Sequence, residues 1–235
     1  MSGGWGRFYG IGVGPGDPEL LTLKAVRILQ RVPVVCYPQS TAGEGSLALA
    51  IAAGAVSLAG KELVSFPFSM SRPHTTDTWQ GALARVLERL SQGQDCAFLT
   101  EGDPLLYSTF VYVYERLQRE HPQVPLEVVP GVSSLTAAAA RAGVPLAAGR
   151  ERITLLPALY HPGAIGPALD TSDVLVLLKV NRVLDVVRRE LEARGLLERV
   201  VLVRRATMPE EQVLHGAQAV DGSVRDYFSL LIVRR

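Results

Sequence analysis

Three stretches carry groups that could hold or act on a ligand. TEGDPLLYSTF (100–110) puts Glu101, Gly102 and Asp103 after the apolar run DCAFL and follows them with the hydroxyls of Tyr107, Ser108 and Thr109. VVPGVSSLTAAAA (128–140) leaves Gly131 and the hydroxyls of Ser133, Ser134 and Thr136 where a helical pattern begins. GIGVGPGDP (10–18) is nearly bare backbone, with Gly10, Gly12, Gly14 and Gly16 on alternate positions and Pro15 between the last two. Helix starts of this kind offer free N–H donors and a positive dipole end, which suit a carboxylate or another anion.

Competing readings of the bare stretch can be weighed. The dinucleotide fingerprint GxGxxG fails, because its third glycine would fall on Pro15 counting from Gly10 and on Asp17 counting from Gly12. GAVSLAGKE (54–62) lacks the spacing of a Walker A loop and the Ser or Thr that should follow Lys61. A plain turn into a helix capped by Asp17, with Pro18 at its first position, accounts for one glycine and not four. Glycine costs conformational entropy, so four at the end of a first strand imply backbone that something approaches closely. In an open parallel sheet that edge is where ligands bind. Each stretch alone reads as a well-capped helix; all three at strand ends favour a ligand site.

The elements that must position these groups follow from periodicity. Short β-branched runs at 7–13, 32–38, 62–68 and 95–100 read as strands, and so do 126–129, 153–156, 174–178, 200–203 and 228–233. Between them, 20–30, 46–55, 76–92 and 183–194 place apolar residues three and four apart, as helices do; Leu83, Leu87 and Leu90 form one core-facing stripe. The alternation is the βαβ signature of a mostly parallel sheet. QREHPQV (118–124) closes a helical pattern in polar residues and a proline, which places a boundary between domains 1–123 and 124–235, each α/β.

Composition narrows the function classes. With 48% hydrophobic and 20% charged residues, the 235-residue chain can bury a real core. A net charge of +1 supplies no field for nucleic acid or an anionic membrane. Cys36 and Cys96 sit in apolar runs without CxxC spacing and read as small buried hydrophobes in a reducing compartment. His74, His121, His161 and His215 are widely separated with no ligand pairing, so no metal is expected. No apolar run reaches the roughly 20 residues that span a bilayer, and MSGGWGRFYG lacks a leader pattern, so a cytoplasmic protein is expected.

The motifs YGIGVGPGDPELLTLKAVRIL, EGDPLLYSTF, VVPGVSSLTAAAA, VLVLLKV with Asn181 after it, VRRATMPEE and YFSLLIV carry a resemblance from Tyr9 to Val233. The chain resembles the tetrapyrrole methylases. The pairing of GVGPGDPELLTLKA with EGDPLLYSTF is similar to the branch that methylates carbon 20 of precorrin-2, or of cobalt-factor II, in corrin-ring (cobalamin) synthesis. The resemblance implies the class III methyltransferase fold, two α/β/α domains with the active site in the cleft between them, and a homodimer. S-adenosyl-L-methionine is the implied methyl donor.

By motif, Pro15 would lie beside the ligand, and Gly102, Asp103 and Leu106 would meet the donor's sugar or methionine part. Ser108, Thr109, Ser133 and Ser134 would supply hydroxyl and backbone donors. Leu178 to Val180, Ala206, Thr207 and Ser229 would enclose the adenine. Reduced tetrapyrroles are electron-rich, so a general base can help without dominating; Glu101, Asp103 and Tyr107 are the candidates by position. Gly14 in the bare loop and Arg72 and His74 after Phe68 are candidate substrate contacts, with Arg150 and Arg152 as further basic groups for a substrate rich in carboxylates. Rival readings are methylation at another ring carbon, of uroporphyrinogen, of diphthine or of ribosomal RNA, and a nucleoside-sensing module without catalysis. The missing basic stripe argues against RNA, and the intact EGDP and PGVSS motifs argue against a mere sensor.

Overall fold

The computed structural model describes residues 4–40, 45–68, 76–157, 161–223 and 225–235. Arg72 and His74, the candidate substrate contacts, lie outside the described residues. Two compact units divide the chain, Met1–Ser133 and Ser134–Arg235.

The first unit runs β1 (Phe8–Gly12), α1 (Leu23–Arg31), β2 (Val34–Ser40), α2 (Leu47–Ala55), β3 (Glu62–Phe68), α3 (Gln80–Ser91), β4 (Cys96–Thr100), α4 (Phe110–Glu120) and β5 (Leu126–Val129). Its sheet has the order β3-β2-β4-β1-β5, with each neighbouring pair parallel. Alternation along each strand sorts side chains to two cores. Tyr9, Ile11, Val35, Ala97, Leu99 and Val129 pack with α1 and α2, whereas Phe8, Val34, Cys36, Phe66 and Phe98 pack with α3 and α4. Each large apolar side chain so buried is worth about 1.5–3 kcal/mol. Both cysteines are fully buried thiols, and desolvation pushes Cys36 well up and Cys96 to about 12.

The second unit runs α5 (Ser134–Ala142), β6 (Ile153–Pro157), α6 (Ile165–Thr171), β7 (Val174–Leu178), α7 (Leu184–Glu192), β8 (Val200–Arg204), β9 (Gln212–His215) and β10 (Ser229–Arg234). Its sheet order is β6-β7-β10-β8-β9; β6 and β7 are parallel, while β10 runs antiparallel to both neighbours and β9 to β8. Leu175, Leu177, Leu202, Leu231 and Val233 face α6 and α7, and Val176, Val203, Leu230 and Ile232 face α5. Each unit is therefore helices on both faces of one sheet, which is the expected class.

Three expectations need correction. The boundary after Gln123 falls instead at Ser133/Ser134, because β5 pairs with β1 (Phe8 opposite Leu126) and the chain stays in the first sheet. Polar QREHPQV marks only the turn out of α4; a strand's partner is invisible in local composition. Asp17 caps a single 3-10 turn, Pro18–Leu20, by accepting from Glu19 N–H, and the first α-helix starts later under Thr22, which accepts from Ala25 N–H at 3.2 Å. The second sheet is mixed rather than mostly parallel, and β9 is an edge strand of mixed exposure with no apolar run to announce it.

Candidate functional site

In the first unit, β4, β1 and β5 lie side by side and parallel, so the loops that follow them emerge at one edge. They are pressed together there. A Cβ on Gly12 would stand 2.5 Å from the Gly102 carbonyl oxygen and 2.6 Å from the Gly131 nitrogen, and a Cβ on Gly131 would strike the same carbonyl. A Cβ on Gly10 would enter the Phe110 ring. Gly14 is different: it has ordinary room, but its φ of +81° disfavours any other residue. Val13 N–H donates to Thr100 O at 3.0 Å, and Gly102 N–H to Gly14 O at 2.8 Å, tying the first two loops into a short antiparallel bridge. Within the bare stretch, Gly12 is required by backbone packed against backbone, Gly10 by the Phe110 ring and Gly14 by its conformation.

Asp103 closes the cluster. Its Oδ1 accepts from Leu105 N–H at 2.9 Å and its Oδ2 from Gly131 N–H at 3.2 Å, so the carboxylate clamps the loop after β4 to the loop after β5. Its observed partners are therefore internal.

Ser108 is likewise employed inside the fold: buried, it shares a 2.7 Å hydrogen bond with Thr100 and accepts from Phe110 N–H at the start of α4. Thr109 makes no side-chain cap bond. Pro15 is buried beside Gly14, Ser133 is part-exposed, and Ser134 is exposed at the first position of α5.

The other two candidate bases take different positions. Glu101 Oε1 accepts from Ala48 N–H at 3.2 Å, in the first turn of α2. Burial pushes its carboxyl above the ordinary 4.5, with its own N–H and that of Ala48 pulling partly back. Folding therefore binds this proton more tightly than the unfolded chain does. The stability cost is absent below the unfolded value and grows as pH rises through the raised folded value. Glu101→Gln keeps an acceptor for Ala48 without the charge. It should match the wild type in urea unfolding below the unfolded value of 4.5 and exceed it at neutral pH. A pH-independent difference would contradict this.

Tyr107 adopts φ +53° and is 51% exposed, with Leu105 and Leu106 also exposed beside it. A non-glycine residue held there is strained.

In the second unit the C-terminal ends of β7 and β8 meet the start of β10, with Leu178 opposite Leu230 and Arg204 opposite Ser229. Strain concentrates at this edge: Lys179, Arg205 and Thr207 all have positive φ. Lys179 lies 5.7 Å from the Tyr227 ring centre, and burial lowers its pKa. Thr207 N–H donates to Glu211 at 2.6 Å, and Glu211 is paired with Arg141. Arg204 and Arg205 both bond Asp226; burial works to raise that carboxyl, and the hydrogen bonds outweigh it and hold it low. Val180 and Ala206 are buried and Leu178 partly so. Among the described residues, the Oγ of Ser229, which is 3% exposed, and the buried Oδ1 of Asn181 have no hydrogen-bond partner. Asn181 had no assigned role in the sequence; a polar residue just past the apolar run VLVLL was the available signal.

The fold thus brings together Pro15, Gly102 and Asp103 in one unit and Leu178, Val180, Ala206, Thr207 and Ser229 in the other. Arg150 and Arg152 are exposed ahead of β6, and Arg152 pairs with Asp173. No helix of the described residues is long and apolar enough to cross a membrane.

The model of the family Tetrapyrrole (Corrin/Porphyrin) Methylases matches residues 7–219. The chain is 34% identical to a precorrin-2 C(20)-methyltransferase from a Sinorhizobium species, covering 99% of this chain and 97% of that one. It is 33% identical to the cobalt-precorrin-2 C(20)-methyltransferase of Salmonella typhimurium, covering 98% and 97%. Among solved structures it resembles a uroporphyrin-III C-methyl transferase from Thermus thermophilus complexed with S-adenyl homocysteine, with TM-score 0.67, 28% identity and 98% of each chain covered.

Proposed function

The chain belongs to the tetrapyrrole (corrin/porphyrin) methylase family, and from that premise we propose that it transfers a methyl group from S-adenosylmethionine to carbon 20 of precorrin-2, or its cobalt form, in cobalamin synthesis. The carrying observation is full-length likeness at 33–34% identity to enzymes named for that reaction. The donor is supported by the family and by the Thermus relative's complex with S-adenyl homocysteine, which is the donor after loss of its methyl group.

The residues present fit such a donor. Two buried polar atoms at the β7/β10 edge, Asn181 Oδ1 and Ser229 Oγ, lack partners among the described residues, and the adjoining backbone is held in strained conformations. A bound nucleoside supplies hydrogen-bonding partners that those atoms otherwise lack. We assign Leu178 to Val180, Ala206, Thr207 and Ser229 to the adenine. Pro15, Gly102, Leu106, Ser133 and Ser134 are assigned to the sugar and methionine part.

S-adenosylmethionine, when bound, supplies a sulfonium methyl open to in-line displacement. The chain's own work is placement, holding donor and acceptor near attack distance, and exclusion of water. Asp103 contributes by fixing two loops through their N–H groups, and Ser108 by anchoring the start of α4 beneath them. Neither Glu101, which caps α2, nor Asp103, which clamps, is free in the manner of a dedicated base; the electron-rich ring does not require one.

A homodimer and a cytoplasmic location belong to the same proposal, the former checked by light scattering. Supplying a metal-free or cobalt-loaded dipyrrocorphin with S-adenosylmethionine tests the activity. Product heavier by one methyl-for-hydrogen replacement, with matching S-adenosylhomocysteine, is expected; binding without turnover would favour the nucleoside-sensing reading.

A further inference from the structure

Asn181 Oδ1 and Ser229 Oγ are buried polar side-chain atoms without a hydrogen-bond partner among the described residues. Leaving such an atom unpaired costs about 1–3 kcal/mol, so a fold that retains two at one edge has a use for them. Topology places both at one end of the second sheet. The antiparallel ladder of β7 and β10 ends with Leu178 opposite Leu230, so Ser229 on one strand and the 179–181 segment on the other continue past the last pair.

The neighbouring backbone points the same way. Lys179 on one side, and Arg205 and Thr207 after the strand paired with Ser229 on the other, sit in the left-handed region. Strain of this kind persists where surrounding structure over-determines it, as at ligand clamps.

We propose that Asn181 and Ser229 read the amine-bearing edge of the donor's purine: Asn181 Oδ1 accepts from the exocyclic amine, and the Ser229 hydroxyl donates to a ring nitrogen. This rests on the reading that the chain binds S-adenosylmethionine. It makes these two side chains specificity determinants, selecting an aminopurine over a purine without the amine, where backbone groups alone would discriminate less.

Calorimetry with S-adenosylhomocysteine and with its analogue carrying hydrogen in place of the amine tests this without any turnover. Wild-type protein should bind the amine-bearing compound about tenfold more tightly, the value of one hydrogen bond. Asn181→Leu should bring that ratio close to one. Ser229→Ala should weaken both compounds by about fivefold or more without lowering the thermal midpoint, since it removes a buried unpaired hydroxyl. Equal affinity of the wild type for both compounds overturns the proposal, whatever the variants do, and so does a wild-type ratio retained by Asn181→Leu. Absence of binding to either compound instead overturns the cofactor reading beneath it.

Discussion

Replacing Gly131 with alanine is expected to abolish methyl transfer and to lower the thermal midpoint by about 10 °C. The added Cβ meets the Gly102 carbonyl and the Gly12 backbone, none of which is the movable end of a side chain. Overpacking that a neighbour cannot relieve costs about 3 kcal/mol or more, and in a protein of this length each kcal/mol moves the midpoint by about 2–4 °C. Gly12→Ala should behave alike, because the two glycines face each other across one contact. Gly163→Ala, which meets nothing within 4 Å, is the matched control and should be nearly silent. A Gly131→Ala protein that melts within about 2 °C of wild type would show that the loops are not packed as described.

Asp103→Ala should weaken S-adenosylhomocysteine binding by about 10- to 100-fold while the core stays folded. The carboxylate is the acceptor that holds Leu105 N–H and Gly131 N–H, and a hydrogen bond to a charged group is worth about 1.5–3 kcal/mol. Because the effect runs through loop position, Asp103→Asn, which keeps one acceptor oxygen, should recover part of the affinity. If Asp103→Asn were as damaging as Asp103→Ala and the loops stayed in place in both, the carboxylate would be touching ligand directly, as the motif alone implied.

The two substitutions also separate what the sequence discloses from what only packing reveals. Strands such as Cys96–Thr100 and Val174–Leu178 are legible because a buried strand is a run of mostly apolar residues with turn signals at its ends. The stripe Leu83, Leu87, Leu90 is legible because helical spacing puts it on one face, and it packs against the Phe98 core. The location of the loops at strand ends is legible for the same reason. Their internal roles are not: Gly10 and Gly12 look like a bare cradle until Phe110, Gly102 and Gly131, far off in the chain, are seen filling the space.

Glu101, Asp103 and Ser108 show the same limit from the polar side. Each is a group able to do chemistry beside a glycine-containing turn, and nothing local reveals that its partner is Ala48, Gly131 or Thr100. Long-range hydrogen bonds consume the very side chains that a motif advertises. Conversely, Asn181 enters the sequence reading only as the end of a motif, without a role, because its distinguishing property is a hydrogen bond unmet among the described residues, which only burial creates. The domain boundary failed likewise, since β5 belongs to the sheet it pairs with.

The most direct measurement is the ring position of an isotopically labelled methyl group after the purified protein has acted on precorrin-2 or its cobalt form with labelled S-adenosylmethionine, read by carbon NMR of the product. Label at carbon 20 alone is predicted. Label at another ring carbon, or none transferred while the nucleoside binds, would contradict it.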